Sequence, residues 1–254
     1  MASPADHAAD PAIHSSADNR SSLVRSHFSP WLAPLMYAIG EKLVLPAYFS
    51  RIEVTGQENI PTDGAIMLAP THRSRWDALI VGLLGKRAGR YFRFMVTADE
   101  CRGLQGWFIR RLGGFPVQVH KPSIHSLRHG VQLLQAQEAL VIYPEGNIYR
   151  DRIHSLKPGL ARLALRAERN QPNLQIKIIP ITLAYSERCP RWRGTVEVRI
   201  GTPITVADFL NDSALAIQDA AGTDENKSGN CKLQAKRLTS HLQTVLTRLA
   251  GPKE

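Results

Sequence analysis

Residues 65–84 read AIMLAPTHRSRWDALIVGLL, and the architecture of the chain can be worked out from this stretch. The five apolar residues 65–69 predict a strand that is buried on both faces. Pro70 ends that strand, and the apolar residues from 77 onward predict a helix. A buried strand that leads through a short polar turn into an apolar helix is typical of a parallel α/β sheet.

The turn between this strand and this helix carries His72 and Asp77. Imidazole, with a reference pKa of about 6.5, can take the proton of an alcohol near neutral pH. A carboxylate that accepts the other ring N–H fixes the tautomer and stabilises the imidazolium. Positions i and i+5 of a regular helix lie about 140° apart, so the two side chains meet only if His72 precedes the helix. The same spacing also arises by chance in surface loops, and the pair alone leaves both interpretations open.

Three further blocks share one construction, an apolar strand interrupted by Gly or Pro. They are LGGFPV at 112–117, ALVIYPEGN at 139–147 and IIPIT at 178–182. Four such blocks in this order resemble the glycerolipid acyltransferase family, which includes the bacterial lysophosphatidate acyltransferases. In that family the first block is His-x4-Asp and the third is Phe-Pro-Glu-Gly followed by Thr-Arg. The fourth is an apolar Pro motif.

The resemblance covers roughly residues 52–204 and implies roles for individual residues. His72 is implied as the general base on the acceptor hydroxyl, with Asp77 orienting it. Glu145, Gly146 and Asn147 would line the acceptor site, with backbone N–H groups near Gly146 available to an anion. The implied reaction moves a fatty acyl group from a thioester carrier, acyl-CoA or acyl carrier protein, to the hydroxyl of 1-acylglycerol 3-phosphate in phospholipid biosynthesis. The carrier is a substrate, and no cofactor is expected.

Two departures from the family pattern concern the acceptor's phosphate. The family's third block has Thr-Arg after its glycine, whereas this chain has Asn147 and Ile148. The second block usually ends in an Arg, whereas this chain continues as QVHK over 118–121. Those two arginines hold the phosphate in the family, so Arg150 and Lys121 become the candidate replacements. Acylation of glycerol 3-phosphate or another lysolipid by the same chemistry is the alternative.

Other chemistries fit parts of the pattern. Ser74 invites a Ser-His-Asp interpretation, although a histidine two residues away on the same turn rarely reaches the hydroxyl in line. A hydrolase could use the His72 and Asp77 pair. A metal there is not expected, because no further ligand cluster is apparent. Arg73 and Arg75 either bind the carrier's phosphates or face solvent.

Composition favours a partner with negative charge. The 254 residues suit one α/β domain, and 32 Lys and Arg against 22 Asp and Glu give a net charge of +10. Such a balance is typical of proteins that bind nucleic acid or an anionic membrane surface. Basic residues adjoin aromatic ones at 107–111 and 188–193, as at membrane interfaces, and no nucleic-acid motif is present. Three widely spaced cysteines predict no disulfide, which indicates a cytoplasmic side.

Residues 31–49 are apolar, but Glu41, Lys42 and two prolines interrupt them. We predict a segment associated with one leaflet of a membrane, with a helix packed on the catalytic domain or a true span as the alternatives. The expected organisation is a disordered tail without a signal sequence (1–28), an apolar membrane-associating segment (29–50), an acyltransferase domain (51–210), and a polar loop with a C-terminal amphipathic helix (211–254).

The order of elements predicts the fold class. Strands are expected near 51–54, 66–70, 92–97, 115–119, 139–144, 176–185 and 195–200. Helices are expected near 76–84, 103–111, 124–137, 158–169 and 232–249. Such alternation predicts an α/β fold with an open, mostly parallel sheet flanked by helices, whose reactive loops lie at the carboxyl ends of the strands. His72 and Glu145 fall just after such strand ends.

Overall fold

A computed structural model describes residues 27–118, 123–210 and 224–251. Within these ranges the strands are β1 (Arg51–Thr55), β2 (Ile66–Pro70), β3 (Arg93–Thr97), β4 (Gly114–Val117), β5 (Ala139–Val141), β6 (Lys177–Tyr185), β7 (Thr195–Ile200) and β8 (Ile204–Thr205). The helices are α1 (Leu32–Ile39), α2 (Leu45–Tyr48), α3 (Asp77–Arg87), α4 (Gly103–Arg111), α5 (Ile124–Gln135), α6 (Gly159–Asn170) and α7 (Asp224–Ala250).

The strands form one mixed sheet in the order β1-β7-β6-β2-β5-β3-β4, with β8 beside β6. The five strands from β6 to β4 in this order are parallel to one another. β7 runs antiparallel to β6, and β1 runs parallel to β7. The predicted open, mostly parallel sheet is therefore confirmed. Every residue of β2 is buried, as expected for a strand at the centre of a sheet covered on both faces.

The helices that follow β2 and β5 lie on opposite faces of the sheet. Ile80 and Leu84 of α3 pack in one core with Leu68 of β2. Leu160 of α6 packs in the other core with Met67, the neighbour of Leu68 on β2. A crevice between two such strands, at their carboxyl ends, is where open α/β sheets bind ligands. The first and third blocks of the sequence both end at this crevice.

The apolar N-terminal segment packs on the domain with one face and exposes the other. It consists of α1, a π-helical turn at Gly40–Val44, and α2. Leu45 and Tyr37 are buried, and Glu41, one of the charges that interrupt the segment, is 2.6 Å from Lys86 Nζ of α3. The buried face agrees with the packed-helix alternative of the sequence analysis, and association of the exposed face with a membrane stays a prediction. In the ranges given above, no helix is long and apolar enough to cross a membrane.

The C-terminal helix α7 is longer than the sequence predicts. Residues 224–230, predicted to continue a polar loop, are helical, whereas residues 211–223 lie outside the described ranges. Gly229 in a helix costs about 1 kcal/mol relative to alanine, which a long helix tolerates when it is anchored elsewhere. The anchor is a stripe of three buried leucines at a spacing of four: Leu238, Leu242 and Leu246. The predicted tail falls outside the described ranges up to residue 26.

The docking of α1 on α3 can be tested at Gly82. An alanine Cβ there would lie 2.4 Å from Cε1 of the buried Tyr37, so Gly82→Ala is expected to lower the free energy of unfolding by about 1–3 kcal/mol. Gly159→Ala is the matched control, because its Cβ would meet nothing within 4 Å. Urea unfolding measures both variants. Equal stabilities would contradict this packing of Tyr37.

Candidate active site

Asp77 is fully buried, and its carboxyl group accepts four hydrogen bonds. Oδ2 accepts from His72 Nδ1 at 2.9 Å, from the backbone N–H of Arg73 at 2.6 Å and from that of Ser74 at 2.8 Å. Oδ1 accepts from the Tyr185 hydroxyl at 2.6 Å. Because α3 begins at Asp77, His72 lies on the turn before the helix, as the spacing of the two residues requires. The turn is wrapped around the carboxyl group.

The His72 ring is held on two sides and open on a third. Nδ1 faces Asp77, which leaves Nε2 as the nitrogen with a free lone pair. The ring stacks on Tyr143, with 4.1 Å between ring centroids. Nε2 has no hydrogen-bond partner among the residues described, and the side chain, 21% exposed, lines a cavity. The arrangement presents a base to whatever enters that cavity.

Tyr185, at the end of β6, is a site residue that the sequence does not reveal. Its hydroxyl reaches Asp77 across 108 positions of the chain, because β6 is the neighbour of β2 in the sheet. Burial, and then the nearby Asp77, raise the pKa of Tyr185 well above its ordinary value. The hydroxyl therefore stays protonated and donates to the carboxylate.

Glu145 joins the third block to the first. Its side chain is fully buried, and Oε2 accepts the backbone N–H of His72 at 2.9 Å. Oε1 accepts the backbone N–H of His154 at 2.9 Å and lies 3.3 Å from Arg73 Nη1. With both oxygens occupied, Glu145 acts on the site through the backbone of His72 and through the loop that follows β5.

Arg73 has neither of the roles that the sequence suggested. Its side chain is only 12% exposed, and its guanidinium donates to the carbonyl oxygens of Tyr149 at 2.5 Å and Arg152 at 3.0 Å. It therefore clamps the loop over 146–158 onto the His72 turn. Arg75 lies at the surface, 2.8 Å from Glu100.

The same loop is braced from the other side by the C-terminal helix. The Gln243 amide of α7 accepts the backbone N–H of Leu156 at 3.0 Å and donates to the His154 carbonyl at 3.3 Å. A single side chain thus satisfies two backbone groups of the loop. Nothing in the sequence pattern around Gln243 indicates this contact.

The residues predicted to bind the acceptor differ in their placement. Gly146 has φ +71°, and its N–H donates to the Tyr143 carbonyl in a tight turn, so that N–H is not available to an anion. Asn147 lines the cavity with His72. Arg150 is exposed and is not among the residues that line the cavity. Lys121 lies outside the described residues.

The cavity has a volume of about 700 Å³ and an apolar interior. Its polar residues include His72, Asn147 and Lys157, and the backbone of Gly146 also lines it. Its apolar lining comes from both faces of the sheet and from α3 to α6: Leu79, Phe94, Val96, Ile109, Leu112, Val117, Leu127, Ile142, Leu160 and Leu163. A cavity of this size suits a ligand with a long apolar part and one polar reacting end.

Two alternative chemistries can be compared with this geometry. Ser74 Oγ accepts the backbone N–H of Trp76 at 3.3 Å and the residue is buried, which gives Ser74 a structural part at the start of α3. In the described ranges, no group of three or more His, Cys, Asp or Glu residues is placed to hold a metal ion.

The chain belongs to the Acyltransferase family, whose pattern matches residues 51–184, more than half of its length. It is 26% identical over 156 residues to a 1-acyl-sn-glycerol-3-phosphate acyltransferase of Streptococcus pneumoniae, a match that covers 59% of this chain and 54% of the relative. A protein of the same name from Bacillus subtilis is 23% identical over 165 residues, covering 63% and 77%. The chain thus spans about half the length of the first relative and about three quarters of the second.

The fold is similar to that of a solved structure. The crystal structure of PlsC, the 1-acyl-sn-glycerophosphate acyltransferase of Thermotoga maritima, aligns with 91% of this chain and 88% of its own at a TM-score of 0.53. The sequence identity is 17%, so the likeness is one of fold. It agrees with the mostly parallel sheet described above.

Two tyrosines next to the pair of His72 and Asp77 provide a matched test of the hydrogen bonds of the candidate site. Tyr185→Phe removes a donor from the buried Asp77 and is expected to lower the free energy of unfolding by about 1.5–3 kcal/mol. The buried Tyr143 hydroxyl has no hydrogen-bond partner among the described residues. Tyr143→Phe is therefore expected to leave stability unchanged or to raise it by about 1 kcal/mol. Thermal and urea unfolding measure both, and a larger loss in Tyr143→Phe than in Tyr185→Phe would refute this assignment.

Proposed function

We propose that this protein transfers a fatty acyl group from a thioester carrier to the free hydroxyl of 1-acylglycerol 3-phosphate. The observation that carries the proposal is the His72 ring, held by Asp77 at 2.9 Å, with Nε2 free at an apolar cavity of about 700 Å³. A base without a nucleophilic partner suits direct transfer between two substrates. A cavity with an apolar interior suits substrates that carry acyl chains.

In the proposed reaction His72 moves one proton. Nε2 takes the proton of the acceptor hydroxyl as its oxygen attacks the thioester carbonyl carbon, and a tetrahedral oxyanion forms. The C–S bond then breaks, and the departing thiolate receives the proton from Nε2. Asp77 stabilises the imidazolium between these two steps. Positioned general-base catalysis of this kind contributes about 10²–10⁴ in rate.

The relatives support this choice of acceptor. Both curated relatives are named for the acylation of 1-acyl-sn-glycerol 3-phosphate, the step that makes phosphatidate in phospholipid biosynthesis. The donor is proposed as acyl-CoA or acyl carrier protein, each of which delivers the acyl group as a thioester. Each additional methylene of a substrate acyl chain that enters the cavity from water is expected to strengthen binding by about 0.8 kcal/mol.

We further propose that the protein works on the cytoplasmic face of a membrane. Four apolar residues at a spacing of four form an outward stripe along the N-terminal segment: Trp31, Leu35, Ile39 and Leu43. The outer face of α4 adds Leu104, Trp107 and Phe108, and the Arg111 guanidinium lies over the Trp107 ring. The two surfaces are joined where Ser29 N donates to the Arg111 carbonyl. Aromatic rings beside cationic side chains are typical of the headgroup level of a bilayer.

His72→Ala is expected to lower kcat by about 10²–10⁴ because it removes the base. Asp77→Asn is expected to impair the enzyme nearly as much, since an amide can donate and favours the wrong imidazole tautomer. Steady-state kinetics with radiolabelled acyl donor measure both, and circular dichroism checks the fold. More than about a tenth of wild-type kcat in folded His72→Ala protein would exclude the role of His72 as the base.

The acceptor is identified by offering the purified protein a panel of acceptors. The panel holds 1-acylglycerol 3-phosphate, glycerol 3-phosphate, a lysophosphatidylcholine and a monoacylglycerol, each with acyl-CoA and with acyl carrier protein. Mass spectrometry of the products is expected to find phosphatidate as the main product. Acylation of another member in preference to 1-acylglycerol 3-phosphate would refute the proposed acceptor. Release of free fatty acid without any acceptor would indicate a hydrolase.

The membrane proposal is tested on exposed side chains, because Leu45 and Phe49 of the same segment belong to the core. The double variant Leu35→Ser with Leu43→Ser is expected to reduce binding to anionic vesicles roughly tenfold or more. Leu233→Ser is the matched control, an exposed leucine on α7. Co-sedimentation with vesicles of phosphatidylglycerol and phosphatidylcholine measures the wild type, the double variant and the control. Equal losses in the control and the double variant would contradict the stripe as the contact surface.

A further inference from the structure

Lys157 crosses directly over Gly146. A Cβ at position 146 would lie 2.8 Å from Lys157 Cδ and 2.9 Å from both Cε and Nζ. The glycine of the third block therefore does more than permit a φ of +71°. Its missing side chain leaves the space that the lysine side chain occupies.

The backbone holds Lys157 in place, while its ammonium has no partner in the described part of the chain. The N–H of Lys157 donates to the Pro144 carbonyl at 2.8 Å, which ties the residue to the end of the third block. Its Nζ has no ion pair or hydrogen bond among the residues described. Arg73 and Arg75, the cations of the first block, are both engaged with carboxylates. Of the cations near His72, Lys157 is thus the one in the described ranges that lines the cavity without a carboxylate partner.

We propose that Lys157 binds the phosphate of the acceptor. This inference rests on the proposed function and supplies the cation for which the sequence analysis considered Arg150 and Lys121. An ammonium offers three donors without the fixed fork of a guanidinium, so it follows a phosphate through small changes of position. The first turn of α6 begins two residues later, contains no acidic residue, and lines the cavity through Gly159 and Leu160. The positive end of the α6 dipole, at its N-terminus, also favours the negative charge of a phosphate.

The chemistry of the substrates favours the acceptor over the donor as the source of this phosphate. In 1-acylglycerol 3-phosphate the attacking hydroxyl and the phosphate are on neighbouring carbons, so both bind within a few ångströms of the base. The phosphates of an acyl carrier are separated from the thioester by a long arm. Lys157 lines the same cavity as His72, and its Nζ lies against Gly146, the residue after Glu145, whose carboxyl group accepts the His72 N–H. The bound anion is therefore assigned to the substrate whose phosphate is close to the reacting atom.

The test compares Lys157→Ala, Lys157→Arg and Arg150→Ala with Lys177→Ala as the matched control. Lys177 is an exposed lysine at the first residue of β6, the opposite end of the strand from Tyr185. Lys157→Ala is expected to raise KM for 1-acylglycerol 3-phosphate about ten- to a hundredfold, with the donor KM and the monoacylglycerol KM unchanged. Lys157→Arg is expected to recover part of the loss, because charge is kept and geometry is changed. Lys177→Ala is expected to match the wild type.

The outcomes separate this inference from the proposed function. If the wild type acylates 1-acylglycerol 3-phosphate but Lys157→Ala has an unchanged acceptor KM, the role of Lys157 is overturned and the proposed function stands. If Lys157→Ala raises only the donor KM, Lys157 binds a phosphate of the acyl carrier. If Arg150→Ala is the only variant that raises the acceptor KM, Arg150 binds the acceptor's phosphate. Both results overturn the inference. A wild type inactive on this acceptor overturns the proposed function and the inference together.

Discussion

The carboxyl group of Asp77 is the constraint on which the site depends. A buried carboxylate without partners is costly by several kcal/mol, and its stability in the core requires donors on every side. Four donors meet this requirement, two of them backbone N–H groups of the turn that also carries His72. The conformation of the turn, the orientation of the imidazole and the contact with β6 through Tyr185 are thus consequences of one buried group.

A second buried carboxyl group, that of Glu145, extends this hydrogen-bonded arrangement to the loop after β5. Glu145 holds the backbone of His72 from the neighbouring strand, and Arg73 connects the two acids. The backbone N–H of Arg73 bonds to Asp77 while its guanidinium lies against Glu145 and the loop carbonyls. The two blocks of the sequence are therefore one hydrogen-bonded unit, which explains why each needs a short strand that ends at the same edge of the sheet.

Much of the fold could be predicted from local sequence pattern, because buried strands appear as short apolar runs and amphipathic helices repeat apolar residues about every 3.6 positions. The strand expected at 66–70 is observed at Ile66–Pro70, and the helix expected at 103–111 is observed at Gly103–Arg111. The pairing of His72 with Asp77 was predicted from their spacing together with the three further blocks, because the spacing alone also occurs by chance. Tyr185 could not be found in this way, because its contact depends on the register of β6 against β2. Lys157 was not named from the sequence, and neither role expected of Arg73 is the one observed, for a related reason: the path of the loop over 146–158 is decided by tertiary contacts and not by local propensity.

The contact of Gln243 with the loop has a consequence for how the molecule is divided. The match to the family pattern ends at residue 184, yet the loop over 146–158 beside the candidate site is supported by Gln243, about sixty residues further along the chain. Residues 51–184 alone therefore lack one of the contacts that hold the loop over 146–158 in place. Sequence change at Gln243, far from the four blocks, can alter the shape of the loop over 146–158 while the blocks themselves stay the same.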